Sequence, residues 1–193
     1  MKRRSFLQVG LGLGIGTSAA WAAPTLTWRT IHFLGFGTTL SITAAHTNAR
    51  HLGAALAKAR DLVAQIESQM SLFSPSSALS QLNRDGFLLQ PPSDLLRILT
   101  ISQNLSRLSQ GAFDVTVQPL WELYAQHHSQ GELPSAKAIE STLQYVNWQH
   151  LEIKANKVVL NHPHTAVTLN GIAQGYASCL LYTSDAADDL LCV

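Results

Sequence analysis

Apolar and polar positions change period several times along this chain, and each change marks an element. Between Trp28 and Ala45, behind the turn signal Gly35-Phe36-Gly37, Leu40, Ile42 and Ala44 alternate with Thr39, Ser41 and Thr43. That period of two predicts a half-buried strand. Leu52, Ala55, Leu56, Ala59, Val63, Ile66 and Met70 then recur at three- and four-residue spacing, with Thr47 or Asn48 placed to cap the start. The spacing predicts an amphipathic helix of about five turns. Pro75 and a cluster of serines between Ser71 and Ser80 break it, and a short polar segment runs to Asn83-Arg84-Asp85-Gly86.

Pro91-Pro92-Ser93 opens a second helix, with Ser93 as its cap, Leu95, Leu99, Ser102, Leu105 and Leu108 inward, and Gly111 as its stop. Pro134-Ser135 starts a third helix through Ile139, Leu143 and Val146. His150 to Ile153 and Val158 to Leu160 form a predicted hairpin across Ala155-Asn156, with Asn156 suited to a positive φ. A strand over 166–169 feeds Asn170-Gly171 and a further helix start. Mixed elements without a repeat predict one α/β (α+β) domain with an antiparallel or mixed sheet. From Ser178 the pattern breaks, and both cysteines, Cys179 and Cys192, and three of the twelve acidic residues lie beyond that point. We expect residues 178–193 to be a non-native tail read through from outside the gene; an amphipathic C-terminal helix is the alternative.

Composition adds a core but no strong field. The 193 residues are 46% hydrophobic and 13% charged, with a formal charge of +1 and a pI near 7.9. That balance steers neither nucleic acid nor anionic lipid onto the surface. The body from Ala23 to Ala177 has no cysteine, which excludes a disulfide scaffold there. Lys2-Arg3-Arg4-Ser5-Phe6-Leu7-Gln8, a weakly apolar Gly-rich stretch and Ala20-Trp21-Ala22 read as a twin-arginine export signal over residues 1–22. The apolar run is short and glycine-broken for a bilayer span, and no strand precedes its glycines to make a nucleotide-binding turn. We therefore expect a periplasmic protein with no stable membrane anchor. Losing Lys2, Arg3 and Arg4 from the thirteen Lys+Arg leaves the mature chain mildly acidic against twelve Asp+Glu.

Three segments are more specific than fold propensity requires: Glu67-Ser68-Gln69-Met70-Ser71-Leu72-Phe73 running on to Asn83, Gly111-Ala112-Phe113-Asp114-Val115-Thr116-Val117-Gln118-Pro119-Leu120, and Thr168-Leu169-Asn170-Gly171-Ile172-Ala173-Gln174-Gly175-Tyr176-Ala177. Singly, each has an ordinary reading: Phe73 a core aromatic, Asp114 a cap, Gly171 and Gly175 packing glycines. Together with the Gly37-Thr38 strand start, and in this order, they resemble the FAD:protein FMN transferase (ApbE) family over about residues 27 to 177.

The resemblance implies a T-fold-related mixed sheet with packed helices, incomplete at the C-terminus in this chain. It implies FAD as the flavin source, Mg²⁺ as the metal, and a threonine of a flavin-accepting protein of respiratory complexes as the target. The form Thr-Leu-Asn-Gly-Ile-Ala-Gln-Gly-Tyr, with the export signal, is similar to the branch linked to nitrous-oxide reductase maturation. The family's Met and aromatic flavin faces match Phe36 and Phe73, and its segment along the cofactor matches Ala112, Phe113 and Asp114. Thr168 stands where the family has Asp, and Gln174 where it has Lys or Glu; both are expected still to face the nucleotide. Gly171 matches the position whose main-chain oxygen meets Mg²⁺. The family's remaining metal ligands, an Asp and a Thr from a later motif, have no counterpart here, so the 193-residue chain is expected to bind flavin weakly and transfer none. A non-catalytic flavin carrier is the alternative. His127-His128 and His162-Pro163-His164 lack the spacing and companions of metal ligands and read as loop histidines.

Overall fold

The computed structural model describes residues 25–188 and 191–192, with side chains to residue 182. The expected export signal lies outside the described residues. Two strands, β1 (Thr27–Gly35) and β2 (Thr38–His46), form an antiparallel hairpin in register from Thr27↔His46 to Gly35↔Thr38. Only the second was predicted. β1 carries large apolar residues on both faces, Trp28 and Leu34 outward and Ile31 inward, which hides the alternation. The turn residues Phe36 (φ 53°) and Gly37 (φ 73°) are both left-handed, the backbone a two-residue hairpin turn demands.

Helix α1 (Ala49–Met70) starts at Asn48, whose side-chain oxygen accepts the Arg50 and His51 N–H groups. It buries Leu52, Leu56, Val63, Ile66 and Met70, so the periodicity holds. The expected polar segment after it is helix α2 (Ala78–Asp85), capped by Ser77 and closed by left-handed Gly86. Leu79 and Leu82 are its two buried side chains, too few to register as a pattern. Strand β3 (Phe87–Leu89) precedes helix α3 (Ser93–Leu108), whose cap position is Pro92; Ser93 is already helical and supplies no capping bond. The buried face of α3 is Leu95, Ile98, Leu99, Ser102 and Ser106, while Leu105 (40%) and Leu108 (77%) face outward. Small serines, not leucines, complete the inner stripe: the Ser106 hydroxyl donates to the Ser102 carbonyl at 3.0 Å, whereas the buried Ser102 hydroxyl has no partner among the described residues.

Helix α4 (Gln118–His128) was not predicted, and it makes His127 and His128 helical rather than loop residues. Helix α5 (Ala136–Leu143) starts at Ser135 as expected. A single 3-10 turn, Trp148–His150, leads into strands β4 (Leu151–Lys154) and β5 (Lys157–Leu160). They are a hairpin as predicted, but Asn156 is not among the residues of positive φ. Residues 166–169 are extended yet pair only through a parallel bridge, Val117↔Ala166, so the expected strand is reduced to a bridge. Helix α6 (Ala173–Asp188) crosses residue 177 without interruption, and Ala173, Tyr176, Ala177 and Leu180 give it a helical inner stripe that the sequence pattern understated. Strand β6 (Leu191–Cys192) pairs antiparallel with β2.

Among the described residues the result is a mixed α/β fold with two three-stranded antiparallel sheets, β1-β2-β6 and β3-β5-β4, rather than one. The main core joins α1, α2, α3, β4, β5 and α6 through Ile66, Leu79, Leu82, Leu99, Leu151 and Val158. A satellite cluster of Ala44, Leu52 and Leu56, flanked by Ile31 and Ile42, sits under the first hairpin. Among the described residues no helix is long and apolar enough to cross a membrane.

Candidate functional site

The motif segments are joined by side chains that hydrogen-bond to distant backbone. Glu67, near the end of α1, accepts the Phe36 N–H through Oε1 at 2.9 Å and so fixes the hairpin turn. That bond holds a non-glycine residue in left-handed backbone. Three residues past α1, the Phe73 N–H donates to Ser71 Oγ (3.1 Å), and the Ser77 and Ser80 hydroxyls both donate to the Ser71 carbonyl (2.5 and 3.2 Å). These bonds fold the serine-rich loop back onto the end of α1. Its aromatic, Phe73, is 66% exposed and lies on the turn: a Cβ on Gly37 would stand 2.5 Å from Phe73 Cε2.

Asn83, at the end of the same segment, reads the Val167 peptide twice. Its Nδ2 donates to the Val167 carbonyl and its Oδ1 accepts the Val167 N–H, both at 2.8 Å. The Thr168 N–H donates in turn to the Val115 carbonyl at 2.8 Å, bringing the second and third segments together. Asp114 accepts three hydrogen bonds from protein: Oδ1 accepts from the Thr116 N–H (2.8 Å) and hydroxyl (2.6 Å), and Oδ2 accepts from the Trp148 N–H (2.8 Å). Its carboxylate clamps the Ala112-Phe113 loop to the 3-10 turn.

At the third segment, the Ile172 and Ala173 N–H groups both donate to the Leu169 carbonyl, at 2.9 and 2.8 Å, which winds the chain into α6. Gly171 sits exposed on that first turn, with open space where a Cβ would be. The Thr168 hydroxyl accepts the Asn170 N–H at 3.3 Å. One turn on, Gln174 and Phe36 line a common cleft of about 190 Å³ between the first hairpin and α6, with Leu40, Ile42, Val63 and Ala177. The inner face of α6 is tied to α3 by the Tyr176 hydroxyl, which donates to Asp94 Oδ1 at 3.0 Å. Burial first, and the Asp94 carboxylate second, push the Tyr176 pKa above the ordinary tyrosine value.

Of the residues expected at a flavin site, Phe36, Phe73 and Gln174 gather around the hairpin tip and the cleft beside it. Ala112, Phe113, Asp114 and Thr168 are linked to one another along the joined second and third segments. Phe36 is half-buried against the main core, and its ring makes no contact with the Phe73 ring among the described aromatic pairs. What the two phenylalanines share is the turn: Phe36 is part of it, and the Phe73 ring lies against Gly37. Glu67 and Asn83 lie inside the quoted motifs but were given no role by sequence, since a tie to backbone far away in the chain leaves no local signal. Asp94 was missed altogether; its place in the first turn of α3 reads as an ordinary helix-start acid.

Among the described residues no three His, Cys, Asp or Glu side chains form a metal-binding group, Asp114 already accepts three hydrogen bonds from protein, and Gly171 offers its carbonyl. The other histidines follow suit: His162 Nδ1 lies 2.7 Å from the Pro163 carbonyl oxygen, and the His162 ring stacks on His150 at 4.7 Å.

Comparison with known proteins agrees with this arrangement. The model described as the ApbE family matches residues 36–182. An FAD:protein FMN transferase of Chlamydia pneumoniae is 33% identical over 127 residues, covering 60% of this chain and 38% of its own length. Among solved structures, a flavin transferase ApbE from Vibrio cholerae (H257G mutant) superposes with a TM-score of 0.74 at 20% identity, covering 85% of this chain and 55% of that one. The apo flavinyl transferase ApbE of Pseudomonas stutzeri superposes with a TM-score of 0.71 at 22% identity, covering 84% and 52%. This chain thus spans about half the length of the solved structures and less of the curated relative. With three-quarters of its residues matched by the family model and the motif segments joined in space, the chain belongs to the ApbE family.

Proposed function

We propose that this protein transfers FMN from FAD to a threonine of a flavin-accepting protein in the periplasm, after export by the twin-arginine route and with Mg²⁺ as the metal. The observation that carries the reading is the mutual anchoring of the motif segments: Glu67 to Phe36, Asn83 to Val167 and Val115 to Thr168. Two side-chain ties and one main-chain bond between distant segments preorganise a surface for a ligand. In the reaction, the threonine oxygen forms a bond to the FMN phosphorus as the pyrophosphate bridge breaks; AMP leaves with the bonding electrons and the hydroxyl proton passes to a base. Such chemistry is mostly positioning and charge neutralisation. Phe73 is the exposed aromatic face for the isoalloxazine, Phe36 and Gln174 line the cleft beside it, and Ala112, Phe113 and Thr168 run along the nucleotide. Asp114 acts by holding its loop. When bound, Mg²⁺ would neutralise phosphate charge, and Gly171 is the one described residue in the family's metal position. Flavin-bearing subunits of respiratory complexes, including the regulator supporting nitrous-oxide reduction, are the targets we favour.

The test is flavin binding by the 193-residue chain, read as quenching of flavin fluorescence. We expect weak, saturable binding that Phe73→Ala lowers about tenfold, since stacking on one aromatic face is worth roughly 1 kcal/mol or more. No binding, or binding indifferent to Phe73, overturns the reading. Covalent transfer is tested by incubation with FAD, Mg²⁺ and a threonine-bearing target: flavin that stays with the denatured target supports the transferase, and saturable binding without transfer selects the second reading, a flavin carrier without catalysis.

A further inference from the structure

A second cavity, of about 300 Å³, opens between β1 and α1. It shares only Phe33 with the cleft that holds Phe36 and Gln174. Its polar rim is Arg29 and His32 from the strand and Arg60 from the helix; its floor includes Ile31 and Leu56. No acidic side chain lines it. Arg29 sits opposite Ala44 in the β1–β2 ladder, and its guanidinium has no ion-pair or hydrogen-bond partner among the described residues. Its Nη1 lies over Gly53, 3.6 Å from where a Cβ would stand, so the missing side chain leaves the groove open beneath the guanidinium. Arg60 gives one N–H to the adjacent Asp61 at 3.3 Å, a contact in which both side chains are more than half exposed. A pair of this exposure is weak and leaves most of the guanidinium's donors free.

We infer that this groove is a binding site for a small phosphomonoester with an apolar body, distinct from the flavin-facing segments. Two guanidiniums line the one groove, the guanidinium fork matches phosphate oxygens, and a lining without an acidic side chain favours a dianion over a neutral ligand. The apolar floor gives the ester's organic part a surface to cover. The volume stands at the low end of small-molecule sites, roughly 300–1,000 Å³, which suits one phosphate and one ring rather than a dinucleotide. The inference does not rest on the flavin reading.

Phenyl phosphate is the probe, titrated into the 193-residue chain by calorimetry at low salt, with inorganic phosphate alongside. We expect saturable binding of phenyl phosphate, tighter than that of inorganic phosphate and weakened by added salt. Arg29→Gln and Arg60→Gln each lower affinity about tenfold, the loss of one charge-assisted pair. Asp61→Asn, which frees the last donors of Arg60, raises it. Gly53→Leu fills the groove while keeping both arginines and a good helix former, so it should abolish phenyl phosphate binding without lowering the melting temperature or the flavin affinity. The inference is overturned by wild-type chain that does not bind at millimolar ligand, by binding unchanged in Arg29→Gln or Gly53→Leu, or by loss of flavin affinity in Gly53→Leu. Co-sedimentation with phosphatidic acid vesicles, but not with phosphatidylcholine, in the absence of phenyl phosphate binding would assign the groove to a lipid headgroup and equally overturn it.

Discussion

Asn83 is the residue on which the joining of distant segments turns. It satisfies both polar groups of the Val167 peptide, one as donor and one as acceptor. Asn83→Ala removes both bonds and leaves that part-buried peptide unpaired; we expect a loss of about 2 kcal/mol, or a melting temperature lower by roughly 4–8 °C in thermal unfolding followed by circular dichroism. Gly37 bears on the flavin reading. Gly37→Ala places a Cβ against Phe73 in left-handed backbone, so the ring must shift and the turn is strained by about 1 kcal/mol. Flavin affinity should fall more than stability does, compared by fluorescence titration and denaturant unfolding. Tyr176 sets a pH dependence. Its folded pKa is raised, so its contribution to stability is present below the ordinary tyrosine value and is lost as pH rises through the folded value. Tyr176→Phe should cost about 1–2 kcal/mol at neutral pH through the lost bond to Asp94, and should remove that part of the alkaline decline; denaturant midpoints from neutral to alkaline pH check both.

Among the elements, α4 and α5 stand apart. Gln118 is the one buried side chain of α4, and α5 has none. Helices get most of their stability from burying an apolar face, so these two should open locally while α1 and α3 stay closed. Amide hydrogen exchange at neutral pH is expected to show α4 and α5 exchanging at least tenfold faster than the centres of α1 and α3. The sequence reading passed over α4 although Leu120, Leu123 and Tyr124 hold i, i+3, i+4 spacing; the structure leaves Trp121 and Tyr124 exposed, so that face stays only half-buried. The long helix α1 was legible because Leu52, Leu56, Val63, Ile66 and Met70 hold one stripe over its whole length. α2 was not, because eight residues with two buried leucines give the period too little room.

For the whole molecule, the two hydrophobic clusters divide the stability. Leu99 is fully buried in the main core and Leu56 almost so in the satellite under the hairpin. Leu99→Ala is expected to cost about 3 kcal/mol and lower global unfolding. Leu56→Ala should loosen the packing of β1 and β2 on α1 first, raising exchange in those strands before the main core responds. A single cooperative transition with equal effects in both variants would show the clusters to be one unit.

Local order determined what the sequence alone revealed: the second strand, α1, the starts of α3 and α5, the β4–β5 hairpin, and a set of ordered motifs sufficient to indicate the family. Each is a pattern within some twenty residues, where period, cap and turn chemistry act directly. Tertiary structure decided the rest. It split the sheet in two, turned Leu105 and Leu108 outward, reduced residues 166–169 to a bridge, and continued α6 past Ala177. It also spent the Asp114 carboxylate on Thr116 and Trp148, and gave Glu67 and Asn83 their partners. These outcomes depend on which backbone groups need a hydrogen bond once the core has formed, and that need exists only after residues far apart in the chain have met.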